Sequence, residues 1–95
     1  MKKPRSARTK YFLRLYVSGS TSRSTRAVES IKRVCEQHLK ARYSLEVVDI
    51  FQQPQRARSD QIVAVPTLIK RLPLPLRRLI GDMSDPAKVL LGLDL

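Results

Sequence analysis

Tyr11-Phe-Leu-Arg-Leu-Tyr-Val17 decides how the chain begins to fold. The segment is β-branched and aromatic, nearly continuous in apolar character, and stopped by Ser18-Gly19-Ser20. Such a run suits a strand buried on both faces, in the middle of a sheet. Thr21, Ser22 or Ser24 can then cap a helix. Ala27, Val28, Ile31, Val34, Cys35 and Leu39 recur at three- and four-residue steps, with Arg26, Glu29, Lys32, Arg33, Glu36 and Lys40 between them. That spacing predicts an amphipathic helix of about five turns. Leu45-Glu-Val-Val-Asp-Ile-Phe51 reads as a second strand. A strand, a long helix and a strand make one βαβ unit, with parallel strands and a right-handed crossover.

Beyond this unit the pattern is less regular. Gln55-Arg-Ala-Arg-Ser-Asp60 can be a short helix or a loop, and Ile62 to Ile69 reads as extended but broken by Pro66. Pro73-Leu-Pro75 imposes polyproline or turn geometry. Leu76-Arg-Arg-Leu-Ile80 can form a strand ending at Gly81. Asp85-Pro86 supplies an N-cap and a proline for the first helical position, and Val89, Leu90 and Leu93 give the last helix its apolar stripe. A βαβ half followed by a hairpin and a helix is the order of a thioredoxin-like α/β fold. Val65-Pro66-Thr67 falls where thioredoxins carry a cis-proline.

The redox enzyme reading fails where the first helix should start with reactive cysteines. The turn there is Ser18-Gly-Ser-Thr-Ser-Arg23, and no thiolate is available to attack a disulfide. The single cysteine, Cys35, sits among the apolar positions of the helix and reads as a small core residue. Cys35 and His38 together are two ligands, short of the three or four of a zinc site. No catalytic constellation, cofactor or metal is expected.

Ninety-five residues make one domain. No apolar run approaches the roughly 20 residues that span a bilayer, and the basic N-terminus lacks a signal-peptide core. A cytoplasmic protein without a membrane partner is expected. Lys+Arg total 19 against 8 Asp+Glu, a formal charge of +11, which favours nucleic acid, anionic surfaces or acidic protein faces. Residues 1–9 read as a basic, solvated arm preceding a domain over 10–95. Aromatic residues are only 5%, thin for stacking bases, so nucleic-acid binding stands as the alternative function.

A set of motifs in fixed order resembles the KaiB family: Lys10 to Gly19, Val47 to Phe51, Pro54-Gln55, Ala64 to Leu68, Ile80-Gly-Asp-Met-Ser-Asp85 and Lys88 to Leu95. The resemblance implies a non-catalytic adaptor for a KaiC-type ATPase ring, serving circadian timing or related signalling. Further partners of KaiA-like or histidine-kinase sensor type are implied too. It also implies a metamorphic protein, with a ground fold, usually tetrameric, converting to a thioredoxin-like monomer that binds the ATPase. Pro66, Pro73, Pro75, Gly92 and Asp94 fall in the half that is rewired. The partner-facing positions carried over are Gln55, Arg58, Gln61 and Ala64, with Arg56 and Arg58 offered to acidic groups, and a basic cleft falls on Arg26, Gln61 and Arg78.

The chain departs from the family pattern in places. Pro73-Leu74-Pro75 stands for a triple proline, and Ser20-Thr21-Ser22 for an asparagine-threonine-proline turn. Ser59, Asp60 and Gln61 replace an acidic pair and a lysine, and the sequence stops at Leu95 where relatives continue into an acidic tail. These changes admit a paralogue serving another ATPase or a stress-response partner. Gly92 and Asp94 count against a C-terminal helix, whereas the early stop counts against the ground fold. The thioredoxin-like monomer is the expected form, and the ground fold the alternative.

Overall fold

The protein is described by a computed structural model over residues 9–94. Its elements run β1 (Tyr11–Val17), α1 (Ser22–His38), β2 (Tyr43–Asp49), α2 (Pro54–Ser59), β3 (Thr67–Leu72), β4 (Arg77–Ile80) and α3 (Pro86–Gly92). The basic arm expected at the N-terminus lies outside the described residues except for its last position. The sheet order is β2-β1-β3-β4. β1 and β2 pair in parallel from Tyr11↔Tyr43 to Val17↔Asp49, while β3 runs antiparallel to β1 and β4 antiparallel to β3. This is the βαβ unit, hairpin and final helix that the sequence pattern implies.

Alternation along β1 divides the interior in two. Tyr11, Leu13, Leu15 and Val17 face α1 and α3, packing with Ile31, Val34, Cys35, Leu39, Leu68, Met83, Val89 and Leu93. Tyr16 points the other way, into a smaller core with Val48 and Ile69, flanked by Ile50, Ala57, Ile62 and Val65. The central strand is covered unevenly, since Phe12 on the second face stays 40% exposed. The large core holds βα1β and α3 together; the small one seats α2.

Local chemistry sets the helix ends. Thr21 Oγ1 accepts from the Ser24 amide at 3.2 Å, which selects Thr21 among the three candidate caps. Asp85 Oδ1 accepts from the Ala87 amide at 3.0 Å and Pro86 opens α3. The Val65-Pro66, Leu72-Pro73 and Leu74-Pro75 bonds are cis.

The structure corrects two expectations. β2 begins two residues earlier than Leu45 and ends at Asp49, because Tyr43 and Leu45 pack on the main core. Phe51 is already past the strand and 73% exposed. Ile62 to Val65 is not strand: Ile62 and Val65 fold against the small core while Val63 stays 89% exposed, and β3 starts only at Thr67. Gly92, which counts against a C-terminal helix by propensity, is the last residue of α3 and lies against β4. A Cβ added there would meet Leu79 Cδ1 at 2.6 Å. Asp94 lies beyond the helix at φ 61° and its carboxylate pairs with Arg77 at 2.7 Å and faces buried Lys70 at 4.0 Å.

Candidate functional site

The short helix α2 has Pro54 at its first turn and no side-chain cap at Gln53, and six residues alone do not hold a helix in water. Tertiary contacts hold it instead. Ala57 packs on Tyr16, Val48 and Ile69. Arg56 Nη2 donates to Glu46 Oε1 at 2.6 Å, and Arg14 Nε donates to the same oxygen at 2.9 Å. At the far end of α2, Asp60 gathers three strands. Its Oδ2 accepts from the Tyr16 hydroxyl at 2.5 Å and from Arg14 Nη1 at 2.9 Å, with Arg71 Nη1 3.7 Å from Oδ1. Arg78 donates to the carbonyls of Asp60 at 2.7 Å and Gln61 at 3.3 Å, closing the C-terminus of the helix.

This network sets the local ionisation. Arg56 is the main influence on Glu46, burial opposes it, and Arg14 assists; the carboxyl is held down to about 2. For Asp60 burial works against the charged form, but the Tyr16 hydroxyl and Arg14 outweigh it, so its pKa lies below the usual value. Burial, then the bond to Asp60, raises Tyr16. Both carboxylates stay charged at neutral pH and fasten α2 to the sheet.

With its inner side fastened, α2 and the turn after it present Gln55, Arg58, Gln61, Val63 and Ala64 to solvent. Four of these are the partner-facing positions carried over from the family resemblance. Arg56 is turned inward to Glu46, which separates it from Arg58. Gln61 adopts φ 55° and so directs the chain away from α2. Val63 escaped the sequence reading because an apolar residue within Ile62 to Ile69 looks like part of a strand. Of the three positions assigned to a basic cleft, the structure brings Gln61 and Arg78 together. Arg26 lines a different cleft of about 430 Å³, between the start of α1 and the loop of Pro66, Gly81 and Met83.

That cleft lies at the start of α1 and beside the cis Val65-Pro66 bond, where the redox enzyme reading requires reactive cysteines. Ser22 and Arg23 line it, and the one thiol of the chain, Cys35, is wholly buried near the C-terminal end of α1. Burial, with a contribution from Glu36, pushes the thiol up to about 11, so it is protonated at neutral pH. Among the described residues no group of three or more His, Cys, Asp or Glu is placed to hold a metal ion. Nor, among the described residues, is any helix long and apolar enough to cross a membrane.

Comparison with known proteins gives one consistent answer. The KaiB domain family model matches residues 14–95. The circadian clock protein KaiB3 of Synechocystis sp. is 52% identical over 83 residues, covering 87% of this chain and 81% of that protein. The circadian clock oscillator protein KaiB of Synechococcus elongatus is 51% identical over 90 residues, covering 95% and 88%. Among solved structures, the N-terminal domain of Synechococcus elongatus SasA superposes with a TM-score of 0.71 at 24% identity, covering 99% of this chain and 92% of that one. Chloroplastic thioredoxin z gives 0.74 at 14% identity, covering 93% and 79%. At such identities the structural likeness speaks for a thioredoxin-like fold alone.

Proposed function

The chain belongs to the KaiB family, and from that premise we propose that it is a non-catalytic adaptor of circadian timing or related signalling, docking on a KaiC-type ATPase ring. The observation that carries this reading is the α2 surface: Gln55 and Arg58 on the helix and Gln61 and Ala64 in the turn after it are all exposed, and the inner side of the helix is pinned by Glu46 and Asp60. A fastened surface with free polar groups suits recognition. Catalysis would want a reactive group at the start of α1, where the chain has Ser22 and Arg23.

In this fold the adaptor acts as a cytoplasmic monomer, and α2 meets the ring with Arg58 offered to an acidic group. Conversion to a second fold would redraw the part from Gln52 onward. The proposal for that rearrangement is supported by how that part is held: a small core around Tyr16, the Asp60 hub, and the pairing of Asp94 with Arg77. Pro66, Pro73, Pro75, Gly92 and Asp94 all lie within it.

The test is size-exclusion chromatography of the protein mixed with the KaiC-type ATPase of the same host and ATP. The adaptor should move into the ATPase peak, and Arg58→Glu should abolish the shift while leaving circular dichroism unchanged. A wild-type protein that never shifts, even after prolonged incubation, would sink the partnership. An unaffected Arg58→Glu variant would remove α2 from it.

A further inference from the structure

The turn between β3 and β4 reads Leu72-Pro73-Leu74-Pro75-Leu76, and its three leucines are 46%, 68% and 52% exposed. Phe12, paired with Leu72 across β1 and β3, is a further exposed apolar group. Phe12, Leu72 and Leu76 line one open groove of about 450 Å³, at the opposite end of β1 from the Tyr16 core that seats α2. Apolar side chains gathered on a surface mark a contact with something less polar than water.

Cations frame this apolar end. The Lys10 ammonium stands 5.8 Å over the Phe12 ring, and the Arg42 guanidinium 6.0 Å from the Tyr11 ring centre. Arg71 and Arg77 flank the turn with side chains roughly half exposed, though each also approaches an aspartate of the chain. The carboxylate that lines the groove, Glu46, is engaged by Arg14 and Arg56. Lys2, Lys3, Arg5 and Arg8 precede β1 in the sequence, and the whole chain carries +11.

We propose that this end of the domain is a docking surface for an anionic lipid bilayer. Leu72, Leu74, Leu76 and Phe12 enter the boundary between headgroups and acyl chains, and the cations around them meet lipid phosphates. Stable peripheral attachment takes two signals, such as buried apolar area and a basic patch, and both are present at one end of the sheet. Charge complementarity selects the occupant: an apolar tip without cations would suit any greasy partner, whereas this one is framed by Lys10 and Arg42, just before β1 and β2, and by Arg71 and Arg77 on β3 and β4. That no helix among the described residues is long and apolar enough to cross a membrane has no bearing on a contact made by a turn. The leucines that enter the bilayer are on the β3–β4 turn and Phe12 on β1, none of them on the α2 face, so this docking does not rest on the ATPase partnership.

Co-sedimentation of the full chain with vesicles tests it. Vesicles of equal parts phosphatidylglycerol and phosphatidylcholine should carry the protein down, pure phosphatidylcholine vesicles should not, and added salt should release it. Leu74→Ser should weaken binding about tenfold. Leu74 is mostly exposed and outside both cores, so the variant folds, and its circular dichroism should match the wild type. Equal binding to both vesicle types, or none, would overturn the proposal. So would anionic binding untouched by Leu74→Ser, which is adsorption by charge alone, or a Leu74-dependent dimer in sedimentation equilibrium, which would put a second copy on the tip.

Discussion

Gly92 in α3 and Leu79 in β4 approach so closely that any side chain at 92 must displace the leucine, whose Cδ1 lies 2.6 Å from where a Cβ would stand. Leu79 packs against the main core, so moving its side chain costs contacts there. Gly92→Ala would gain about 1 kcal/mol of helix propensity and lose about 1–3 kcal/mol to overpacking. The expected outcome is a lower denaturant midpoint. In a Leu79→Ala background the obstruction is gone, and the same glycine substitution should raise the midpoint. A stabilised Gly92→Ala single variant would show that the close approach matters little.

Asp94 joins the end of α3 to the hairpin. Its carboxylate meets Arg77 in solvent and faces Lys70, whose side chain is wholly buried. Taking away an anion that faces a buried ammonium costs far more than breaking an exposed pair. Asp94→Asn should therefore destabilise the protein by about 2 kcal/mol, and Arg77→Ala by less than about 1 kcal/mol. Thermal melts of the two variants check the ranking. Equal losses would mean that Lys70 gains nothing from Asp94.

Acid should loosen α2 before the rest. The folded pKa values of Glu46 and Asp60 lie below their ordinary values, so the stability they contribute is complete above the usual carboxylate range and lost as pH falls. For Glu46 the window runs from about 4.5 down to about 2. Because Glu46 is partly exposed, the effect should be modest and reduced by salt. Urea midpoints measured across that window should fall for the wild type and fall less for Glu46→Gln. Parallel curves would exclude Glu46 as a source of acid lability.

Cys35 should be inert in the native protein. Its thiol is buried and raised to about 11, so a disulfide reagent at neutral pH should label it only on unfolding, at a rate that follows denaturant concentration. Fast stoichiometric labelling of the folded chain would reopen a redox role.

The first half of the fold was legible because its signals are local. β1 and α1 bury their apolar residues by simple alternation and helical spacing, and Thr21 lies just where the pattern starts. The second half depends on partners distant in sequence. Ile62 and Val65 look like strand residues until Tyr16 and Ile69 are seen to receive them from the side. Lys70 looks like a surface charge, yet it is buried and faces Asp94 from across the hairpin. Gly92 reads as a helix breaker when judged by propensity, since nothing near it in sequence announces Leu79.

At the candidate surface the limit was helical phase. Arg56 and Arg58 are chemically identical and two residues apart, so choosing between them required knowing that α2 forms and which side meets the sheet. The structure turns Arg56 to Glu46 and leaves Arg58 outward. Arg26 was grouped with Gln61 and Arg78 by family resemblance, and the chain's own geometry puts it in a separate cleft.

Asp60 has a consequence for speed as well as for stability. Through Tyr16, Arg14, Arg71 and its own carbonyl to Arg78, one residue couples α2 to β1, β3 and β4. On the proposed docking at α2, a partner would meet a surface already set in shape, with little ordering entropy left to lose on contact. Encounters should then succeed at the ordinary rate for rigid docking. Cutting the coupling, as in Asp60→Asn, should slow the arrival of a partner as much as it hastens departure.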